Sequence, residues 1–305
     1  MLRTLEEVLA AAKQSEPRTI AVAAAQDKDV LTAVYAAVRE GIVRPLLVGD
    51  KAQILRIAEE AQLPVLQEHI VDEPDKAAAC QKAAALARDH KADLLMKGFV
   101  DTSLVMKAVL NHENDLKKSG TISHVAVMEV PGFDRLFYVT DSAMNIAPSL
   151  EQKAAILENA VETAHALGND EPKAAVLCAV EKVNPKMECT LDAQELTARN
   201  RRGELKGCVV DGPLALDNAV SVEAARHKGI DSPVAGCADI LLVPDIEAGN
   251  MLNKSMEYFA HAKKAGVMMG AKVPIVLTSR ATSAQSKMYS IALGVLIASK
   301  QKEQA

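Results

Sequence analysis

Two rhythms of hydrophobic and polar positions alternate along the chain. Short apolar runs at 19–23, 45–49 and 92–98, with a weaker one at Ile70, read as buried strands. Between them, amphipathic stretches at 29–40, 51–61, 75–89 and 104–110 read as helices. An earlier helix at 5–13 carries a capping-box pattern in Thr4 and Glu7, and Gly41 stands where a helix C-terminus favours glycine. Strands alternating with helices of this length predict right-handed crossovers and a parallel sheet covered on both faces. The middle breaks the rhythm. Runs at 124–130 and 136–140 flank Pro131-Gly132-Phe133-Asp134-Arg135, a hairpin pattern that predicts an antiparallel element. Alternation then resumes. A helix capped by Ser149 and Gln152 ends near Gly168, followed by helices at 191–201, 219–226, 251–265 and 283–300 and strands at 173–180, 207–210, 238–243 and 274–277.

A chain of 305 residues makes about two domains, and no long Gly/Ser/Pro-rich linker separates two halves. The crossing is therefore short, around 140–148. With 49% hydrophobic and 25% charged residues the chain has ample material for packed cores. Only 3% of residues are aromatic, too few for base-stacking platforms, and a net charge of −5 argues against a nonspecific polyanion binder. No nucleic-acid partner is expected. A local pocket for one small anion remains compatible with that balance. The five cysteines (Cys80, Cys178, Cys189, Cys208, Cys237) are scattered and form no C-x-x-C pattern, which fits buried thiols in a reducing compartment. The opening residues show no secretory signal and no apolar run approaches the ~20 residues of a membrane span. The expectation is a cytoplasmic protein without a membrane partner.

Polar residues that interrupt the pattern carry the candidate chemistry. In open parallel sheets ligands bind beyond the carboxyl ends of the strands, where helix N-termini present unpaired amides. The segments following the expected strands are Lys97-Gly98, Thr140-Asp141, Glu181-Lys182, Asp211-Gly212, Pro244-Asp245 and Thr278-Ser279-Arg280. The last has a hydroxyl pair and a guanidinium between an apolar strand and a helix start, suited equally to gripping an oxyanion or to ordinary capping with the arginine in solvent. Several signatures are absent: G-x-G-x-x-G after a strand, the P-loop, G-x-S-x-G and H-E-x-x-H. His112-Glu113 with Asp115 reads as a solvated helix end, and no metal site is expected.

Four ordered segments resemble the phosphate acetyl/butyryltransferase family: 179–187 (AVEKVNPKM), 211–219 (DGPLALDNA), 244–254 (PDIEAGNMLNK) and 278–284 (TSRATSA). Lys97-Gly98 with 102–110, and 141–148 (DSAMNIAP), are similar to the butyryl branch. The resemblance implies two parallel-sheet α/β domains with an interdomain cleft, of the isocitrate/isopropylmalate dehydrogenase-like architecture. The expected division is 1–142 plus 285–305 for the first domain and 143–284 for the second. It further implies a homo-oligomer that moves a short-chain, butanoyl-like acyl group reversibly between coenzyme A and inorganic phosphate, with CoA as substrate and no cofactor.

On that resemblance Arg280 clamps the phosphoryl group and Ser279 hydrogen-bonds the oxyanion or the thiolate. Lys97 is the expected second cation, with Lys182 and Lys254 as further candidates. Thr278, Thr282, Glu181 and Asp211 are expected around the substrates. Gly249 and Asn250 would permit close backbone approach, and Asp141 with Asn145 would order the crossing. One departure stands out. The carboxylate that the acetyl branch carries seven residues after the family serine is here Ser286, and the Asp that the butyryl branch commonly carries three residues after it is here Thr282. That leaves the thiol base unassigned between Glu181, Asp211 and thiolate stabilisation by Arg280 and helix amides. The competing expectation is a non-catalytic protein of the same fold that binds CoA or an acyl phosphate.

Overall fold

Aspartates open the early helices. Asp27 accepts from the Val30 amide (2.9 Å), Asp50 from Gln53 (2.9 Å) and Asp75 from Ala78 (2.8 Å), each satisfying a donor that a helix start leaves unpaired. The first elements in chain order are α1 (Leu5–Gln14), β1 (Arg18–Ala23), α2 (Lys28–Arg39), β2 (Val43–Gly49), α3 (Lys51–Glu60), β3 (Ile70–Asp72), α4 (Lys76–Arg88), β4 (Leu94–Lys97) and α5 (Thr102–Leu110). Then come β5 (Ser123–Glu129), β6 (Leu136–Thr140), α6 (Leu150–Ala166), β7 (Lys173–Leu177), α7 (Glu188–Arg201), β8 (Val209–Leu214), α8 (Leu216–Val220), α9 (Val222–His227), β9 (Ile240–Leu242) and α10 (Ile246–Tyr258). The chain finishes with β10 (Lys263–Met269), β11 (Ile275–Val276) and α11 (Ala284–Gln304). This computed structural model describes residues 1–118, 120–278 and 282–304.

The chain divides into two units: Leu5–Ser119 with Ala265–Ala305, and Met1–Thr4 with Gly120–Lys264. In the first, the strand order is β3-β2-β1-β4-β11-β10. Every neighbouring pair is parallel except β10 with β11. The order reverses between β1 and β4: from β1 the chain steps outward to β2 and β3, then returns across to β4. The core strands are fully buried at Ile20, Val22, Leu94 and Met96, and α11 supplies Ile291 and Leu293. In the second unit the order is β5-β6-β9-β7-β8. Here β5 and β6 form the expected antiparallel hairpin, and the remaining neighbours are parallel.

Three expectations need correction. The helix expected at 251–265 is α10, which starts five residues earlier because Asp245 caps it by accepting from Ala248 N (2.8 Å). It stops at Tyr258, His261 takes a positive φ of 53°, and the chain then enters β10, a strand the hydrophobic pattern did not reveal. Second, the strand expected at 207–210 is β8, which runs on through Asp211-Gly212-Pro213 to Leu214. Asp211 therefore pairs with Ala175 inside the sheet instead of following a strand end. Third, the helix expected at 219–226 is two short ones, because the Ser221 side chain accepts from Ala224 N and starts a new helix.

Candidate functional site

In the first unit, the carboxyl ends of β1, β4 and β11 lie side by side at the point where the strand order reverses, next to the N-terminus of α2. This is where open α/β sheets leave a crevice and unpaired helix amides face a ligand. Lys97 is the last residue of β4 and is buried; its Nζ donates to the carbonyls of Gly98 (3.3 Å) and Val100 (3.1 Å). Gly98 allows the backbone to turn tightly against β1. A Cβ there would sit 2.2 Å from the Ala24 oxygen and 2.6 Å from that of Ala23, so no side chain fits. The Gly98 and Phe99 amides donate to the Ala23 and Ala24 carbonyls at 2.8 and 2.7 Å respectively.

A cavity of about 100 Å³ opens here, lined by Lys97, Gly98, Thr278 and Lys287 together with Asp27 and Asp29 of the α2 start. Thr278 and Thr282 are both buried. Lys287, on the first turn of α11, is only 4% exposed, and its Nζ donates to the Thr282 carbonyl at 2.8 Å. Ser279 and Arg280, the expected catalytic pair, lie outside the described residues. Lys287 was missed from sequence, although a signal was present: a lysine inside the helix run that continues Tyr289, Ile291, Ala292 and Leu293.

In the second unit, a different cluster forms where β6 ends. Asp141 is buried, and its carboxylate collects four donors: the amides of Ala143 (2.9 Å), Met144 (3.1 Å) and Asn145 (3.1 Å), and Asn145 Nδ2 (2.6 Å). Asn145 Nδ2 also donates to the Ile122 carbonyl at 2.9 Å. The helix α10 packs directly on this turn. A Cβ on Gly249 would fall 2.5 Å from the Asp141 carbonyl oxygen. Asn250 Nδ2 donates to the Ser142 carbonyl and Asn253 Nδ2 to Ser142 Oγ, both at 3.3 Å. Behind them His124 Nδ1 lies 3.1 Å from Ser142 Oγ. Burial holds the His124 imidazole below its ordinary pKa, outweighing the nearby Asp141 charge. His124, Ser142 and Asn253 were not anticipated; a histidine and a serine within apolar strand ends were the only cues.

The remaining candidates do not join either cluster. Glu181 accepts from Lys228 Nζ (2.7 Å) and Asn218 Nδ2 (2.5 Å), and the lysine holds its carboxyl below the usual range. A carboxylate so committed is a weak proton acceptor. Asp211 lies 3.7 Å from Arg201. Lys254 pairs with Glu257 at 3.2 Å, and Lys182 is exposed. Among the described residues no group of three or more His, Cys, Asp or Glu side chains is placed to hold a metal ion.

Comparison with known proteins gives a consistent result. The family model described as phosphate acetyl/butaryl transferase matches residues 3–81 and 69–295. A probable phosphate butyryltransferase of Bacillus subtilis is 53% identical over 292 residues, covering 95% of this chain and 97% of that one. The phosphate butyryltransferase of Clostridium acetobutylicum is 48% identical over 298 residues, covering 98% and 99%. Among solved structures, a branched-chain phosphotransacylase from Enterococcus faecalis superposes with a TM-score of 0.81 at 36% identity, covering 92% of this chain and 99% of that one.

Proposed function

We propose, from the premise that the chain belongs to the phosphate acetyl/butyryltransferase family, that inorganic phosphate binds at the carboxyl ends of β1, β4 and β11. The protein is an acyltransferase that moves an acyl group reversibly between coenzyme A and phosphate. A phosphate oxygen attacks the thioester carbonyl, the tetrahedral intermediate collapses, and the thiolate leaves. The proton that hydrogen phosphate loses ends on the sulfur, so acyl-CoA and phosphate give acyl phosphate and free CoA with nothing left over. The exchange is redox-neutral, and coenzyme A enters as a substrate.

Such chemistry needs positive charge at the dianion and donors for the developing oxyanion. The observation that carries the placement is the buried Lys97 ammonium at the β4 end, beside Thr278 and the α2 start. Arg280 is the proposed clamp on the phosphoryl oxygens, and Ser279 the donor to the oxyanion or thiolate. Thr282 flanks them. The Asp141–Asn145 turn, braced by Gly249 and Asn250, and the charged side chains of Lys182, Asp211 and Lys254 are proposed to serve the larger CoA substrate. Glu181 is too firmly ion-paired to be the thiol base, which fits a reaction in which phosphate supplies the proton. We further place the enzyme in the cytoplasm as a homo-oligomer, with butanoyl-sized acyl groups preferred.

A thiol-release assay across C2 to C6 acyl-CoAs tests this, with phosphate or arsenate as acceptor. Acceptor-dependent release should peak near C4 and fall on either side. Each methylene is worth about 1–3 kcal/mol, so neighbouring lengths remain substrates. Arg280→Ala should chiefly raise the phosphate KM. An absence of acceptor-dependent release with every acyl-CoA would overturn the reading.

A further inference from the structure

Lys287 has a feature that α11 alone does not explain. An ammonium has three N–H donors, and among the described residues the Lys287 group meets a single acceptor, the Thr282 carbonyl. It has no carboxylate partner among the described residues, yet it is 4% exposed and lines the cavity that Lys97 and Thr278 also line. Burying a charge without a counter-charge is expensive. Asp27 and Asp29 line the same cavity but form no ion pair with Lys287: Asp27 Oδ1 accepts from its own helix at Val30 N, and Asp29 is exposed. What remains is a cavity of about 100 Å³ into which a buried cation with unused donors faces. That is room for one small tetrahedral oxyanion.

We infer that Lys287 is a second phosphate-binding cation of this pocket, facing Lys97 across the dianion; the assignment rests on reading the pocket as the phosphate site. Its bond to the Thr282 carbonyl gives it a further duty. It holds the Thr282 carbonyl, so occupancy of the pocket and the position of the Thr282 backbone are linked through one ammonium. The phosphoryl group, in either reaction direction, would then be gripped by groups from two separate strand ends and a helix start.

Lys287→Gln removes the charge while keeping a donor for the Thr282 carbonyl; Lys287→Arg keeps the charge. In steady-state kinetics of the full-length enzyme, Lys287→Gln should raise the phosphate KM by about 10–100-fold, the usual reach of a lost charged hydrogen bond. The acyl-CoA KM should stay within about twofold, and Lys287→Arg should recover most of the loss. Thermal stabilisation of the protein by inorganic phosphate or sulfate, read without turnover, should weaken in parallel in the Gln variant. Unchanged phosphate KM and unchanged sulfate stabilisation in a folded Lys287→Gln variant would overturn the inference. So would equal losses toward both substrates, the mark of a purely structural lysine. If instead the wild-type protein shows no phosphate-dependent thiol release while sulfate still stabilises it through Lys287, the anion pocket stands and the reading of the reaction fails.

Discussion

At the scale of single residues, the two clusters differ in how their charges are handled. Asp141 is saturated by four donors and is a fixed structural anion, whereas Lys287 is buried and under-used. His124 is the third kind, a titratable ring kept neutral by burial. Its folded pKa lies below the ordinary 6.5, so the unfolded chain binds its proton first as the pH falls. The stability tied to neutral His124 is therefore full above about pH 6.5 and is lost progressively on acidification toward the folded pKa. Urea unfolding of the wild type between pH 7.5 and 5 should show this acid slope, and His124→Asn should flatten it whatever its absolute stability. An identical slope in both proteins would show that other groups set the acid limb. The positions of Lys97, Thr278 and the Asp141–Asn145 pair at or just beyond strand ends were legible in the sequence, because in each case polar residues follow an apolar strand run. Lys287 and His124 were not: Lys287 follows Gln285 and Ser286 in what reads as an ordinary polar helix start, and His124 follows Ser123 at the beginning of a strand, where a polar residue marks nothing beyond a satisfied side chain.

At the scale of elements, the helix ends marked by side-chain caps and glycine were readable in the first half of the chain. Ser149 and Gln152 form the reciprocal capping box that their spacing announced, and Gly41 closes the turn after α2 with a φ of 72°. The antiparallel hairpin of β5 and β6 was legible for a similar reason, two apolar runs around a Pro-Gly turn. What stayed hidden lies between α10 and β10. The segment Ala260-His261-Ala262-Lys263-Lys264-Ala265 is rich in helix-favouring alanine and lysine, and it is tertiary strand pairing, such as that of Val267 and Met268 with β11, that makes its latter part a strand. The start of α10 was misplaced because Pro244-Asp245 read as a loop, when Asp245 is the cap itself. Asp245→Ala should cost about 1 kcal/mol in chemical-denaturant unfolding, the ordinary value of such a cap. Because α10 carries Gly249 and Asn250 onto the Asp141 turn, the same variant should lose more activity toward acyl-CoA than toward phosphate. A stability change with no kinetic selectivity would separate the cap from the site.

At the scale of the whole molecule, α10 also presents a surface that a lone chain does not explain. Met251 is 64% exposed, Tyr258 61% and Phe259 85%, and the first two are seven residues apart, on one face of the helix. Large apolar side chains gathered on one face, rather than scattered, mark a surface meant to be covered. The homo-oligomer proposed above supplies the cover without a second gene product. In a twofold assembly each copy meets the same patch on its neighbour, so one apolar helix face is used twice. Sedimentation velocity of the wild-type protein should then give a multiple of the chain mass, and Phe259→Asp should shift it toward the monomer by burying a charge in that contact. Gly249 and Asn250 lie on the same helix, held against the Asp141 turn by backbone-close packing. Dissociation frees the outer face of α10 but leaves that inner face intact, so the Phe259→Asp monomer should keep its phosphate KM. If the wild type sediments as a single chain, or if Phe259→Asp leaves the assembly whole, α10 is not the covered surface.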